Sequence, residues 1–299
     1  MINKYIIKPA RNWFKEKVTN VYNELEKNKV IPEPKKDNSK VIYLPYQDGD
    51  DYFVIPSEKD IYDVCEQGLP IPPVPLWLGY GEKKEIYLFG KVQILRMQEV
   101  LKDSGFELKD GMKILDFGCG AGRMIRWLKP YSEKCEIWGV DIYSDCIFWA
   151  KRNLQPPFNF ATNTTIPHLP FEDGYFDLIY AGSVFTHIDD LAEAWLLELR
   201  RILKKDGRIF ITVQDKHSIQ LLKNDHKYKN QWLANYINEN EIREGIYSDF
   251  DIIAGGRGLE TQIFYDTEYF CNAIKGILKT VSVTKEIYGF QTGLVLKKN

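Results

Sequence analysis

Between Met112 and Leu128 the chain runs from a short apolar stretch through an aspartate and three closely spaced glycines into a second apolar stretch: Ile114-Leu-Asp-Phe-Gly-Cys-Gly-Ala-Gly-Arg-Met-Ile-Arg-Trp127. Met112 to Leu115 is long enough for one buried strand, and Met124 to Leu128 reads as the opening of a helix. The glycines Gly118, Gly120 and Gly122 lie between them. Glycine permits positive φ and removes the Cβ that would keep a ligand away from the backbone. The stretch therefore predicts a strand–turn–helix whose backbone approaches something closely. In an open α/β sheet that turn lies at the carboxyl edge of the strands, where ligands bind.

The spacing restricts the ligand. A dinucleotide fingerprint, G-x-G-x-x-G, would need a third glycine where this chain has Arg123, and no G-K-[ST] of a P-loop follows. Asp116, directly before the turn, would repel a pyrophosphate pressed into it. It suits a ligand that carries a cationic amine.

Downstream, strand and helix patterns alternate, which predicts a parallel sheet covered on both faces. The expected strands are Lys113–Asp116, Glu136–Val140, Phe158–Ala161, Asp177–Ala181 and Gly207–Val213. Val92–Leu101 and Leu191–Leu203 read as helices, the second closed by the basic, glycine-terminated Lys204-Lys-Asp-Gly207. Gln262–Tyr265 is a further strand, and a helix capped by Asp266 or Thr267 follows it. Thr280–Tyr288 and Thr292–Leu296 form a terminal antiparallel pair. Asp141 ends the second strand, 25 positions after Asp116. An acid there can accept two hydrogen bonds from a ribose diol.

In its D-x-G-x-G-x-G turn the sequence resembles the class I S-adenosylmethionine-dependent methyltransferases. A second stretch, Leu169-Pro-Phe-Glu-Asp-Gly-Tyr-Phe-Asp-Leu-Ile-Tyr-Ala-Gly-Ser-Val-Phe-Thr-His-Ile188, resembles that family's fourth-strand region. The resemblance covers roughly residues 86–299. It implies a Rossmann-like, doubly wound, mostly parallel seven-stranded sheet with a C-terminal antiparallel strand, and S-adenosylmethionine as cofactor. By the same resemblance Asp116 and the turn of Gly118, Cys119, Gly120 and Gly122 cradle the amino-acid end of the cofactor. Asp141 holds its ribose, Ile142 packs on its adenine, and Gly182 and Ser183 lie under the sulfonium and methionine chain. Where the family often has an aspartate for the adenine amino group, this chain has Asn163, whose carbonyl is an acceptor; the competing reading of Asn163 is a turn residue. The overall organisation resembles bacterial stand-alone methyltransferases, including those that modify sugars. The implied activity is methyl transfer to a small-molecule or glycan acceptor, with O-methylation as the narrower expectation. A non-catalytic protein that binds the cofactor for structure or sensing is the other reading.

Such a transfer to a hydroxyl needs a base. His187, after the fourth strand, is the first candidate, although related methyltransferases carry a histidine there as scaffold. Asp215-Lys-His217, after the fifth strand, offers a carboxylate and an imidazole. His168 and His226 read as loop and surface residues. None of the four histidines has metal-ligand spacing, and no metal is expected. The fourth strand ends Ala181-Gly-Ser-Val184 rather than in the [DNS]-P-P-[YFW] of amino-methylating DNA enzymes. With a net charge of −2 and no basic stripe, a nucleic-acid partner is not expected.

The five cysteines form no C-x-x-C pair, which suggests a reducing, cytoplasmic setting. No apolar run is long enough to span a bilayer. Residues 1–40 carry ten Lys/Arg against five Asp/Glu and read as a basic, partly helical extension with a proline-punctuated linker, Ile31–Ser39. Two readings stand for it: packing on its own domain or a second subunit of an oligomer, or docking on an anionic membrane or partner. Residues 41–85 read as an acidic cap or arm, with strands at Val41–Leu44 and Tyr52–Ile55 around a loop at Asp48–Asp51. Its proline-rich Ile71–Pro75 is expected to lie extended, and its aromatics either cover the cleft or fill the core. Residues 86–299 read as the main domain. An insertion at about 215–260, at the ligand edge, is expected to shape the acceptor site.

Overall fold

A computed structural model describes residues 41–43, 54–56, 63–80, 83–188, 191–228, 231–239, 252–255 and 261–299. The extension 1–40, the loop 48–51 and Gly256–Gly258 lie outside the described residues. The chain divides into two compact units, 1–60 and 61–299. In the first, β1 (Val41–Tyr43) and β2 (Val54–Pro56) pair antiparallel, as expected.

The second unit opens with an arm, 63–80. Its prolines do not exclude regular structure: Val74–Trp77 forms one 3-10 turn, with Pro75 in the first positions, where a missing N–H costs nothing. Helices α1 (Lys84–Leu88) and α2 (Gly90–Asp103) lead into β3 (Lys113–Phe117). The segment after the glycines, Ile125–Tyr131, is a 3-10 rather than an α-helix, and it contains Pro130, which donates no N–H to a longer helix. Then follow β4 (Glu136–Asp141), α3 (Ser144–Leu154), β5 (Asn159–Thr162), β6 (Phe176–Ala181), α4 (Ala192–Ile202) and β7 (Leu203–Asp215).

The expected glycine-terminated cap at Lys204–Gly207 is replaced by strand. The chain turns extended at Leu203 as soon as α4 ends, and Leu203 pairs with Phe176. Gly207 serves close approach rather than positive φ, since a Cβ there would lie 2.8 Å from the Asp177 carbonyl oxygen.

The insertion is more regular than its polar composition suggests. It holds α5 (Lys216–Asn224), α6 (Trp232–Glu239) and β8 (Ile252–Gly255), and is followed by β9 (Gln262–Tyr265) and α7 (Thr267–Ile274). The terminal hairpin is β10 (Lys279–Tyr288) and β11 (Gln291–Lys297). The sheet order is β10-β11-β7-β6-β3-β4-β5. Strands β5, β4, β3, β6 and β7 are mutually parallel, and β11 joins β7 antiparallel. This is the seven-stranded, mostly parallel Rossmann-like sheet that the family resemblance implies. Strand β9 adds to the carboxyl end of β7 at Gln214 and Asp215, and β8 pairs with β9.

Both faces are buried, as a parallel sheet requires. On one face Ile114, Leu178 and Phe210 pack with Ile94, Met97 and Ile125. On the other, Leu115, Ile179 and Ile209 pack with Trp195, Leu196 and Leu199 of α4. Side chains alternate between faces along each strand. Asp116, Tyr180, Phe210 and Val295 are register partners across four strands, so they share one face. Asp116 is thus a carboxylate in an otherwise aromatic and aliphatic row.

Candidate functional site

The turn after β3 has the form the glycines demand. Gly118, Gly120 and Gly122 all have positive φ, at 83°, 52° and 80°. Gly118 also lacks room: a Cβ would stand 2.3 Å from a Val184 methyl. The Cys119 side chain points inward, its sulfur 2.8 Å from where a Cβ on Gly139 would be, and burial pushes its thiol well up. Only its backbone belongs to the turn.

Asp141, at the end of β4, ties the turn down. Its Oδ2 accepts from the Gly120 amide at 2.7 Å and its Oδ1 from the Tyr143 amide at 2.9 Å. Each oxygen keeps a further lone pair. Ile142 beside it is half-buried. The Asn163 amide donates from the backbone to the Asp141 carbonyl, and its side-chain Nδ2 donates to Thr164 O. That orientation leaves Asn163 Oδ1 as a buried acceptor without a donor.

Asp116 is 2% exposed, and its Oδ2 makes no hydrogen bond. Tyr180 faces the same carboxyl, and each alters the proton affinity of the other, but neither reaches hydrogen-bond geometry. Burial pushes the Asp116 pKa up to about 7. Tyr180, Arg123 and the Ile125 amide oppose that rise, and Asp141 adds to it.

Gly182 and Ser183 form the turn directly after β6. Missing its Cβ, Gly182 admits Met124 and the Tyr288 ring, at 2.9 and 3.0 Å from the Cβ position. Ser183 has φ +62° and its amide donates to Thr212 Oγ1, while its hydroxyl donates to Gln291 Oε1.

The arm settles on this turn. Leu78 lies 3.2 Å from where a Cβ on Gly120 would be, while Trp77 is buried and stacks on Tyr87. Trp77 and Tyr87 thus fill the core, while the arm residue on the turn is the aliphatic Leu78. Arg126, fully buried, fastens arm to turn by donating to Gly122 O, Ala121 O and Pro70 O. Arg123 donates to Gln93 Oε1 and to the Tyr80 hydroxyl. With Tyr80, Glu85, Phe89 and Gln93 it lines an open cavity of about 350 Å³. A cavity of about 430 Å³ between Trp138, Lys151, Gln155, Asn159 and Phe160 lies along the β4–β5 edge and holds none of the groups at the turn.

His187 stands beyond β6, beside the added strand β9. Its Nδ1 lies 2.8 Å from the Thr261 carbonyl, with Gln262 flanking at 3.3 Å. A carbonyl only accepts, so Nδ1 carries the proton and Nε2 carries the lone pair. His187 is exposed as a residue, but desolvation of its ring against β9 lowers its pKa from the ordinary value, opposed by the Thr261 carbonyl.

Asp215 and His217 are not brought together. Asp215 caps α5 through the Ser218 amide, and its Oδ2 accepts from Thr267 and Thr292 hydroxyls at 3.0 and 2.7 Å. His217 instead meets Glu286, Nε2 to Oε1 at 2.8 Å. The physical reason is local. The first turn of a helix needs a cap, and Asp215 sits where the strand ends and the helix begins. Sequence reasoning passed over Tyr180, Tyr288, Arg123 and Arg126 as site residues. Tyr180 was accessible through strand parity with Asp116, whereas Tyr288 comes from a distant hairpin with no sequence signal.

Residues 90–245 match the model of a family described as a methyltransferase domain. The chain belongs to that family. Among its relatives is an uncharacterized protein of Methanocaldococcus jannaschii, 33% identical over 164 residues, covering 54% of this chain and 62% of that one. Another is the mitochondrial ubiquinone biosynthesis O-methyltransferase of Candida albicans, 25% identical over 195 residues, covering 60% and 56%. The chain thus spans about three fifths of the length of these curated relatives. The crystal structure of the PH0226 protein from Pyrococcus horikoshii shares the fold, with TM-score 0.51 and 18% identity over 75% of this chain and 96% of that one.

The family's cofactor is S-adenosylmethionine, and the residues present fit it. A buried carboxylate oxygen without a donor suits an ammonium group, a glycine turn pinned by Asp141 leaves backbone open to a ligand, and Asn163 Oδ1 awaits a donor. Replacing Asp141 by alanine should weaken S-adenosylmethionine binding about tenfold to a hundredfold, the loss of one or two hydrogen bonds plus a loosened turn. Calorimetric titration, with NAD as control, checks this; an unchanged affinity would remove Asp141 from the site.

Among the described residues no helix is long and apolar enough to cross a membrane, and no group of three His, Cys, Asp or Glu stands ready for a metal. The five cysteines are free thiols.

Proposed function

We propose that this protein transfers a methyl group from S-adenosylmethionine to a hydroxyl of a small-molecule or glycan acceptor, with His187 as the base. Bound at the turn, the cofactor supplies a methyl carried on a positively charged sulfur. Asp116 and the glycine turn hold its amino-acid end, Asp141 its ribose and Asn163 its adenine edge.

The observation that carries the O-methylation reading is the His187 tautomer. Thr261 fixes the ring with Nδ1 protonated, so Nε2 can take a hydroxyl proton. A pKa held below the ordinary imidazole value keeps the ring neutral at pH 7. Strand β9, which follows the insertion, supports the same reading, because Ile263 donates its amide to Thr186 O beside His187. The similarity to a ubiquinone biosynthesis O-methyltransferase agrees with it.

Transfer from labelled S-adenosylmethionine to a panel of hydroxylated small molecules and glycans tests the function. His187→Gln should lower kcat about a hundredfold or more without changing cofactor affinity. The acidic limb of the wild-type kcat profile should lie below the ordinary imidazole pKa, since deprotonated His187 is the active form. Full activity in the variant would assign His187 to scaffold alone. Tight cofactor binding with no transfer to any member of the panel would favour the non-catalytic reading.

A further inference from the structure

Ser183 carries a side chain yet stands in the left-handed region, at φ +62°. That conformation is costly for an L-residue and persists only where neighbours impose it. The neighbours here are Thr212 and Gln291. The Ser183 amide donates to Thr212 Oγ1 at 2.7 Å, and its hydroxyl donates to Gln291 Oε1 at 3.0 Å. Thr212 Oγ1 donates to the same Gln291 oxygen at 2.8 Å. One amide oxygen thus closes a circuit of hydrogen bonds around the strained residue. Gln291 is held in turn. It opens β11, where Gly293 is the register partner of Thr212, so Gln291 and Thr212 share a face of the sheet. On either side of it, Phe290 O accepts from Ser218 Oγ at 2.6 Å and Thr292 Oγ1 donates to Asp215 Oδ2 at 2.7 Å.

The strained residue begins the turn that carries His187. Thr186 Oγ1 donates to Ser183 O at 2.9 Å, and the His187 amide donates to Val184 O at 3.0 Å. Between them, a Val184 methyl fills the space that Gly118 leaves by having no Cβ. The backbone direction at Ser183 therefore sets where the imidazole stands relative to the glycine turn. Small misplacements of a reacting group cost far more in rate than in binding.

We propose that Gln291, from the C-terminal hairpin, is a positioning residue for methyl transfer: by holding Ser183 left-handed it keeps His187 aligned with the glycine turn. The inference rests on His187 acting as the base in the function proposed above. Gln291 acts on the reaction through Ser183.

Steady-state kinetics with an acceptor from the panel, and calorimetry with S-adenosylhomocysteine, test this on the full chain. Gln291→Ala should lower kcat about tenfold to a hundredfold and change S-adenosylhomocysteine affinity less than about threefold. Gln291→Glu keeps an acceptor oxygen for both hydroxyls, so its kcat should stay within about threefold of wild type. Adding Ser183→Gly to Gln291→Ala removes the Cβ that makes positive φ costly, and the double variant should recover most of the lost kcat. A hairpin that served stability alone would show no such recovery, because glycine only loosens the chain further. An unchanged kcat in Gln291→Ala, an equal loss of kcat and of cofactor affinity, or a loss that neither Gln291→Glu nor the added Ser183→Gly spares would overturn the inference and leave the proposed function intact. No transfer by wild type, or full activity in His187→Gln, would overturn both.

Discussion

Arg126→Ala should cost the fold about 3–5 kcal/mol, through the cavity left by a fully buried side chain and three carbonyl groups that lose their donor. Arg126 is 0% exposed and donates to Gly122 O at 2.8 Å, Pro70 O at 2.7 Å and Ala121 O at 3.3 Å. Its charge has carbonyl dipoles and the Tyr87 ring, 5.4 Å away, as counterparts rather than an acid. Two of its three acceptors lie in the glycine turn and the third in the arm. The loss should therefore be felt locally before it is felt globally: amides of residues 63–80 and 118–126 should exchange faster than the rest of the sheet. Urea denaturation gives the global cost, and hydrogen exchange gives its location. Arg126→Lys should be intermediate, since an ammonium cannot reach all three carbonyls in the fixed fork of a guanidinium. A change below about 1 kcal/mol for Arg126→Ala would mean that the arm and the turn are held by packing alone.

Asp116 should make both stability and cofactor affinity depend on pH, with opposite signs. Its folded pKa, about 7, lies above the ordinary 3.8, because burial outweighs the help of Tyr180, Arg123 and the Ile125 amide. Below pH 3.8 both folded and unfolded forms are protonated and the group is neutral in the balance. Between about 4 and 7 the folded state holds a proton that the unfolded state has released, so ligand-free stability falls as pH rises, by on the order of 4 kcal/mol at most. Above about 7 its contribution is constant. An ammonium bound against the carboxylate favours the ionised form, so S-adenosylmethionine affinity should rise with pH up to about 7 and then level. Asp116→Asn should remove the slope, stabilise the ligand-free protein at pH 8 relative to wild type, and weaken the cofactor. Thermal unfolding and calorimetry from pH 5 to 8 read all three. A variant with wild-type pH dependence would place the titration elsewhere, and a variant that binds as tightly would remove Asp116 from the amino-acid end.

Both effects arise where side chains from separate elements converge, which is also where sequence reading ended. The alternation of strands and helices, the glycine turn, the acids at the ends of β3 and β4, and the terminal hairpin were all legible in the sequence. Each is a local requirement: a period of two or 3.6, a positive φ, or a short apolar run bounded by turns. The helix of Ile125–Tyr131 was misread in kind, because Pro130 acts from within the segment. The cap at Lys204–Gly207 was misread because Gly207 answers to the Asp177 carbonyl of a neighbouring strand.

The pair Asp215 and His217 shows the limit most plainly. Adjacent in sequence, they diverge because a helix N-terminus claims the carboxylate and Glu286, from the far hairpin, claims the imidazole. His187 acquires its tautomer from Thr261, 74 residues away. The sequence by itself determined the sheet and the backbone of the turn, because glycine geometry and hydrophobic periodicity are properties of neighbouring residues. Only the tertiary structure decided which buried charges stay unpaired. Whether Asp116 Oδ2 and the Tyr180 and Tyr288 hydroxyls find partners depends on what β6 and the C-terminal hairpin bring within hydrogen-bond reach.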